Sequence, residues 1–153
     1  MHKVLIIGAG GIGRRHIKGY LSTKRASLSI VEPNVEKCQE VENEFSIEKS
    51  YSNFSEVNLN DYDFVLICAP ANYHIAPMKI CAENKIPFMV EKPLSINLDG
   101  VNEVIELVEK NKLFARVGYT RRNSLIQIEV RSQILNGKIG DLKLVYINSS
   151  QEF

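Results

Sequence analysis

The sequence lacks the cysteine and histidine patterns that mark disulfide-rich and metal-binding proteins. It has three cysteines and three histidines in 153 residues, with no Cys-x-x-Cys pair and no metal-ligand spacing among the histidines. We therefore expect free thiols, as is typical of a reducing cytosol, and no metal site.

A strong charge of either sign is also absent. The formal net charge is +1, and 24% charged with 44% hydrophobic residues is ordinary for a soluble globular protein. Because positive and negative charges are so nearly equal in number, bulk electrostatics would not drive binding to nucleic acid or to a membrane surface. The expected partner is a small molecule.

Long apolar runs are missing as well. The apolar run near the N-terminus, residues 4–7, is only four residues long before the glycines begin. A secretory signal needs about 7–15 apolar residues and a membrane span about 20. We interpret residues 4–7 as part of a buried strand and expect a soluble, cytoplasmic protein.

The sequence does contain short apolar runs that alternate with stretches of helical length. The clearest helix is predicted for about residues 97–111, where apolar residues repeat at helical spacing. Strands that are apolar throughout and alternate with helices predict an α/β fold with a doubly wound parallel sheet of the Rossmann type. The predicted strands are 3–7, 27–31, 64–68, 86–90 and 113–117, with a weaker one near 47–51.

The pattern changes after residue 120. A helix is predicted for about 122–135, ending at Asn136-Gly137, and residues 141–150 alternate like an antiparallel strand. We predict one domain over residues 1–120 and, over 121–153, the incomplete beginning of an α+β domain, either in a fragment or by natural truncation. The strand at 141–150 would leave an open edge or pair with another copy of the chain, giving a homo-oligomer.

A glycine-rich motif indicates what the first domain binds. Gly8-Ala9-Gly10-Gly11-Ile12-Gly13 is a G-x-G-x-x-G that follows a predicted strand and opens a helix. Gly8 permits the turn, Gly10 lets the backbone approach a pyrophosphate, and Gly13 allows close packing of helix and strand. The helix N-terminus offers its N–H groups to the phosphates. We predict a dinucleotide site that includes Gly8, Gly10, Gly11, Ile12 and Gly13.

An acidic residue at the required distance indicates which dinucleotide. Glu32 lies nineteen residues beyond Gly13, directly after a predicted strand. A carboxylate there can accept the ribose hydroxyls and repels a 2′-phosphate, so NAD is favoured over NADP. The alternative is a solvated side chain before the Pro33-Asn34 turn. Of Arg14 and Arg15, at most one would contact a phosphate, and His16 is interpreted as a packed or surface residue.

Later motifs complete a resemblance to a known family. With the glycine loop, they resemble the glucose–fructose oxidoreductase / inositol dehydrogenase / rhizopine-catabolism (Gfo/Idh/MocA) family over about residues 3–148. These motifs are Cys68-Ala69-Pro70, Asn72, His74, Glu91-Lys92-Pro93, the segment 117–122 and the turn 137–140.

The resemblance implies a two-domain dehydrogenase that acts on a hydroxyl-bearing carbon of a sugar, cyclitol or nucleotide-sugar. The first domain would bind NAD(P), and a second would hold the substrate and form oligomers. Lys92 matches the family's active-site lysine, and the Lys92–Pro93 bond is expected to be cis. Because family members are more than twice this length, we expect this chain alone to bind NAD with negligible turnover. The other cofactor-binding residues implied are Ala69, Pro70, Asn72, His74, Glu91 and Arg121.

Other interpretations remain open from the residues themselves. Lys92 could be a surface lysine in a strand-exit loop, and His74 could be only a helix-end group. The same scaffold could serve another reaction, such as biliverdin-type reduction or dihydrodiol oxidation. The chain could also be a non-catalytic NAD(H)-binding module or a truncated remnant.

Overall fold

Six parallel strands form one sheet in the computed structural model, which describes residues 1–148. The strand order is β3-β2-β1-β4-β5-β6, and every neighbouring pair is parallel. This is the doubly wound order predicted from the apolar runs, and the prediction is confirmed. The strands are β1 (His2–Ile7), β2 (Ala26–Val31), β3 (Lys49–Tyr51), β4 (Phe64–Ile67), β5 (Phe88–Val90) and β6 (Ala115–Val117).

The helices connect successive strands. They are α1 (Gly11–Thr23), α2 (Val35–Glu44), α3 (Ile75–Glu83) and α4 (Val101–Lys110), with 3-10 turns at Phe54–Glu56, Leu59–Asp61 and Ala71–Tyr73. Helix α4 begins later than predicted. Asp99 N–H donates to Asn97 Oδ1, and the Asn97 amide donates to Asp99, so these two side chains hold a turn instead of a first helical turn.

Apolar side chains cover both faces of the sheet. Leu5 and Ile7 of β1 enter one buried cluster, whereas Val4 and Ile6 enter the other. This alternation follows from the two-residue period of a strand, and it explains why the strands are continuous apolar runs. Because all six strands are parallel, their carboxyl ends lie at the same edge of the sheet. The predicted site residues are in the turns at this edge.

The described chain divides into two compact units, Met1–Gly118 and a second that begins at Tyr119. The second contains a 3-10 turn (Thr120–Asn123) and helix α5 (Leu125–Leu135), at whose start the Ser124 hydroxyl accepts from Gln127 N–H. Apolar residues of α5 such as Leu125 and Ile126 are exposed.

The strand predicted for residues 141–150 is wrong for the part that the structure describes. Residues 141–148 have no strand backbone pairing. An alternating sequence specifies the two faces of a strand, but a strand also needs a neighbour to receive its hydrogen bonds. The predicted association of copies through this segment stays a prediction. Ser149 and Ser150 lie outside the described residues.

Within residues 1–148, no helix combines the length and the apolar character that crossing a membrane requires.

Candidate functional site

The loop between β1 and α1 can be built only with glycine at two positions. Gly8 has φ +92°, and a Cβ on it would lie 2.7 Å from the Ala69 nitrogen. A Cβ on Gly13 would lie 2.1 Å from the Gly8 oxygen. Both contacts are too close for any side chain. The loop therefore packs directly on the turn after β4, as the motif predicts.

The other two glycines of the loop face open space. A Cβ on Gly10 or Gly11 would meet no atom within 4 Å. Gly10 occupies the N-cap position of α1 but, having no side chain, cannot accept a hydrogen bond there. The first N–H groups of this 13-residue helix therefore have no side-chain acceptor. An uncapped helix N-terminus facing an open cradle fits a pyrophosphate. Ile12 is partly exposed beside it.

Arg14 is occupied elsewhere. Its guanidinium pairs with Glu40 and Glu44, which joins α1 to α2 and raises the pKa of the arginine. Arg15, the neighbouring arginine, is exposed. Of the two arginines, only Arg14 forms an ion pair within residues 1–148.

Glu32 is a buried carboxylate that joins the glycine loop to the turn after β2. Only 8% of the residue is exposed. Its Oε2 accepts from Ala9 N–H at 2.9 Å, and its Oε1 accepts from Asn34 N–H at 3.0 Å. The solvated alternative does not describe this side chain. Each carboxylate oxygen has a second lone pair, so the group can still accept a ribose hydroxyl.

The turn after β4 brings together four of the predicted residues. Ala69 is partly buried under the glycine loop, while Pro70 and Asn72 are exposed at the edge. His74 is almost fully buried, with Nε2 2.7 Å from the Ala69 carbonyl oxygen and Nδ1 3.0 Å from the Pro93 carbonyl oxygen. The ring therefore joins the turn after β4 to the turn after β5, and it is more than a helix-end group.

The turn after β5 carries Glu91, Lys92 and Pro93. The Lys92–Pro93 peptide is cis, as expected from the resemblance. Lys92 is exposed at the carboxyl edge, whereas Glu91 beside it is 7% exposed. The exposed ammonium is available to an oxygen of a bound molecule, and the buried carboxylate is held inside the protein.

His16 is the residue that sequence reasoning missed. Its Nε2 lies 2.8 Å from Glu91 Oε1, across 75 positions of the chain. No local pattern reports so distant a contact. One signal was available: a glutamate directly after an apolar strand needs a polar partner if it is buried. Arg121 lies in the second unit, within Thr120–Asn123.

Two absences among residues 1–148 bear on the chemistry. Cys38, Cys68 and Cys81 are free, and no group of histidine, cysteine or acidic residues in this part of the chain could hold a metal ion. Burial raises the pKa of both the Cys68 and Cys81 thiols to about 12, with a smaller contribution from the Glu91 charge at Cys68. These two thiols are therefore protonated and poor nucleophiles at neutral pH.

Comparison with known proteins identifies relatives of the whole described sheet. The model of the Gfo/Idh/MocA family, described as an oxidoreductase family with an NAD-binding Rossmann fold, matches residues 2–119. Myo-inositol 2-dehydrogenase of Thermotoga maritima is 29% identical over 149 residues, which are 96% of this chain and 45% of that protein. The NAD(+)-dependent scyllo-inositol 2-dehydrogenase of Bacillus subtilis is 31% identical over 139 residues, 88% of this chain and 40% of that protein.

Solved structures show the same fold. A probable dehydrogenase from Thermotoga maritima has a TM-score of 0.81 at 30% identity, covering 90% of this chain and 42% of that one. Scyllo-inositol dehydrogenase from Lactobacillus casei, solved with NAD(H) and scyllo-inositol, has a TM-score of 0.84 at 21% identity, covering 92% and 43%. The chain thus spans less than half the length of these relatives.

Proposed function

Because this chain belongs to the Gfo/Idh/MocA oxidoreductase family, whose NAD-binding Rossmann domain it contains, we propose that it supplies the cofactor half of a dehydrogenase. The reaction is hydride transfer between NAD and a hydroxyl-bearing carbon of a small polyol. The observation that carries the proposal is that two features lie at the carboxyl edge of the same parallel sheet. One is the glycine loop, which leads into a helix N-terminus without a side-chain cap, and the other is the exposed Lys92.

The substrate class rests on the relatives. Two that match most of this chain are named for myo-inositol and scyllo-inositol. A cyclitol, or a sugar or nucleotide-sugar with similarly placed hydroxyls, is the substrate that these names favour.

The cofactor is held by groups from four turns. Backbone N–H groups of residues 10–13 bind the pyrophosphate, and Glu32 accepts the adenosine ribose hydroxyls, which disfavours NADP. The turn after β4 forms a wall through Ala69, Pro70 and Asn72, and His74 fixes that wall to the turn bearing Lys92.

Lys92 binds the substrate oxygen and exchanges a proton with it. Bound NAD supplies the carbon that accepts the hydride. As the hydride leaves, charge develops on the substrate oxygen, and the Lys92 ammonium at the sheet edge donates a hydrogen bond to it. Lys92 enters the step as a neutral amine and takes the proton that the hydroxyl loses, so the ammonium that donates this hydrogen bond is the product of that proton transfer. Glu91, one residue earlier, directs its carboxylate inward and does not neutralise this ammonium by an ion pair in the described structure.

The proposal is tested by a matched pair of glycine variants in α1 and its loop. A Cβ at either Gly10 or Gly19 would meet no atom within 4 Å, but Gly10 lies at the N-terminus of α1, where we place the pyrophosphate, whereas Gly19 is an exposed position farther along the helix. We expect Gly10→Ala to weaken NAD⁺ binding by about tenfold or more, measured by isothermal titration, because it displaces a phosphate from the N–H groups.

The control is Gly19→Ala. It should leave NAD⁺ affinity unchanged and raise the free energy of unfolding by about 0.5–1 kcal/mol, since alanine favours the helix over glycine. Equal affinities of the unaltered protein and Gly10→Ala would remove the glycine loop from the site, and with it the proposed function.

A further inference from the structure

Glu91 is a buried charged side chain whose position the proposed hydride transfer does not explain. It follows β5 directly, and its side chain is 9% exposed. Oε1 accepts from His16 Nε2 at 2.8 Å, and Oε2 accepts from Lys92 N–H at 3.2 Å. These two bonds fix the carboxylate at the carboxyl edge of the sheet between α1 and the Lys92 turn.

The residues packed around the Glu91 carboxylate leave space for it and provide its contacts. A Cβ on Gly118, the residue after β6, would lie 3.1 Å from Glu91 Oε1 and 3.2 Å from its Cδ, so the glycine makes room for it. In the described part of the chain, the one ionisable base in ion-pair contact with Glu91 is His16. The other titratable neighbours are Lys92, which contacts it through its backbone N–H, and Cys68, whose raised pKa keeps the thiol neutral.

The location of Glu91 relates it to one half of the cofactor. A doubly wound sheet binds a dinucleotide across the point where the strand order reverses, one mononucleotide over each half. Glu32 follows β2 in the half that takes the adenosine, whereas Glu91 follows β5 in the half that takes the nicotinamide. The oxidised nicotinamide ring carries a positive charge that the reduced ring lacks. A carboxylate screened poorly by water stabilises the oxidised form selectively.

We propose that the Glu91 carboxylate, positioned by His16, makes this domain bind NAD⁺ in preference to NADH. The inference rests on the proposed function, since it assumes that NAD binds here. Glu91 then sets redox-state specificity, and His16 acts through it as a positioning residue. The contact of 2.8 Å between His16 Nε2 and Glu91 Oε1 holds the carboxylate in place.

The test compares the ratio of the NADH and NAD⁺ dissociation constants in three variants of the 153-residue chain. Glu91→Gln removes the charge with little change of shape. His16→Arg leaves the carboxylate in place and puts a permanent cation against it, so it tests the same charge if Glu91→Gln does not fold. We expect both Glu91→Gln and His16→Arg to lower the ratio of the NADH dissociation constant to the NAD⁺ dissociation constant by about fivefold or more. The main reason is that each of them weakens NAD⁺ binding.

The matched control is Asp63→Asn. Asp63 accepts from Lys3 N–H at 2.9 Å at the opposite edge of the sheet, so the variant makes the same charge change far from the site. The ratio should stay unchanged there. An unchanged ratio in the folded Glu91 and His16 variants, or an equal fall in Asp63→Asn, overturns the inference. Failure of the unaltered chain to bind either cofactor overturns the proposed function instead, and the inference with it.

Discussion

Glu32 has a structural role in addition to the cofactor role that we propose for it. Its two oxygens accept backbone N–H groups from the glycine loop and from Asn34, and so they hold the loop against the end of β2. Loss of this carboxylate removes the groups that would receive ribose hydroxyls and also releases the loop. The spacing of Glu32 from the glycine loop predicted the cofactor role, whereas the structural role became apparent only in the structure.

Replacing Glu32 tests both roles. The unaltered protein is expected to bind NAD⁺ more tightly than NADP⁺ by about 1–3 kcal/mol, because the carboxylate repels the 2′-phosphate. We expect Glu32→Ser to narrow that gap, and to weaken NAD⁺ binding as well since Ala9 N–H loses its acceptor. Titration with both cofactors measures this. Glu36→Ser, an exposed acid four positions later, is the control and should change neither affinity.

The two turns that frame the site are held together by one ring. His74 contacts carbonyl oxygens of Ala69 and Pro93, which follow β4 and β5. We expect His74→Leu to lower the free energy of unfolding by about 2–4 kcal/mol, because it leaves buried carbonyl groups without a donor. Urea denaturation measures the loss. Tyr73→Leu, at the neighbouring exposed position, should cost about 0.5 kcal/mol or less.

A stability loss in Tyr73→Leu as large as that in His74→Leu would show that the ring does not act through these carbonyl groups. The histidine could be suspected from the sequence only as a possible cofactor neighbour. Its actual contacts join residues 69, 74 and 93, which come together only when β4 and β5 pair.

At the scale of elements, the strands were the most predictable part. Burial on both faces forces a continuous apolar sequence, so the runs ending at Ile7, Val31 and Val90 could be located to within a residue or two. Helix starts were less predictable, because side-chain bonds such as those of Asn97 and Asp99 compete with the first turn. The strand predicted at 141–150 failed for residues 141–148 because alternation does not specify a partner.

Contacts between distant elements were not predictable at all. The Glu91–His16 pair joins residues 75 positions apart, and the ion pairs of Arg14 join α1 to α2. The glycine loop, in contrast, was located correctly because its requirements are local: a turn with positive φ at Gly8 and no space for a side chain at Gly13.

For the whole molecule, the buried thiols imply weakness at high pH. Burial raises the pKa of Cys68 and Cys81 from 9.0 to about 12, and that of Tyr62 from 10.0 to about 12. Between these values the unfolded chain loses protons that the folded chain keeps. The contribution of these buried groups to the free energy of unfolding is therefore fully present below about pH 9 and falls as the pH rises toward 12, by up to about 1.4 kcal/mol per pH unit for each thiol.

Urea unfolding at several pH values between about 8 and 10.5 checks this dependence. Cys81→Ala should make the decline shallower, because one of the thiols no longer ionises on unfolding. Cys38→Ala is the control, since Cys38 is only partly buried, and its decline should match that of the unaltered protein. A free energy of unfolding that does not change with pH over this interval would contradict the assigned burial effect.

The strand order also determines when, during synthesis, the proposed cofactor site between β1 and β4 can form. β1 lies in the middle of the sheet, and the chain adds β2 and β3 on one side before it makes β4 on the other. Until residues 64–67 leave the ribosome, the open edge of β1 presents unpaired backbone groups and a row of apolar side chains. The nascent three-stranded half-sheet is therefore exposed to edge-to-edge pairing with other chains, and a translational pause between β3 and β4 would prolong its lifetime.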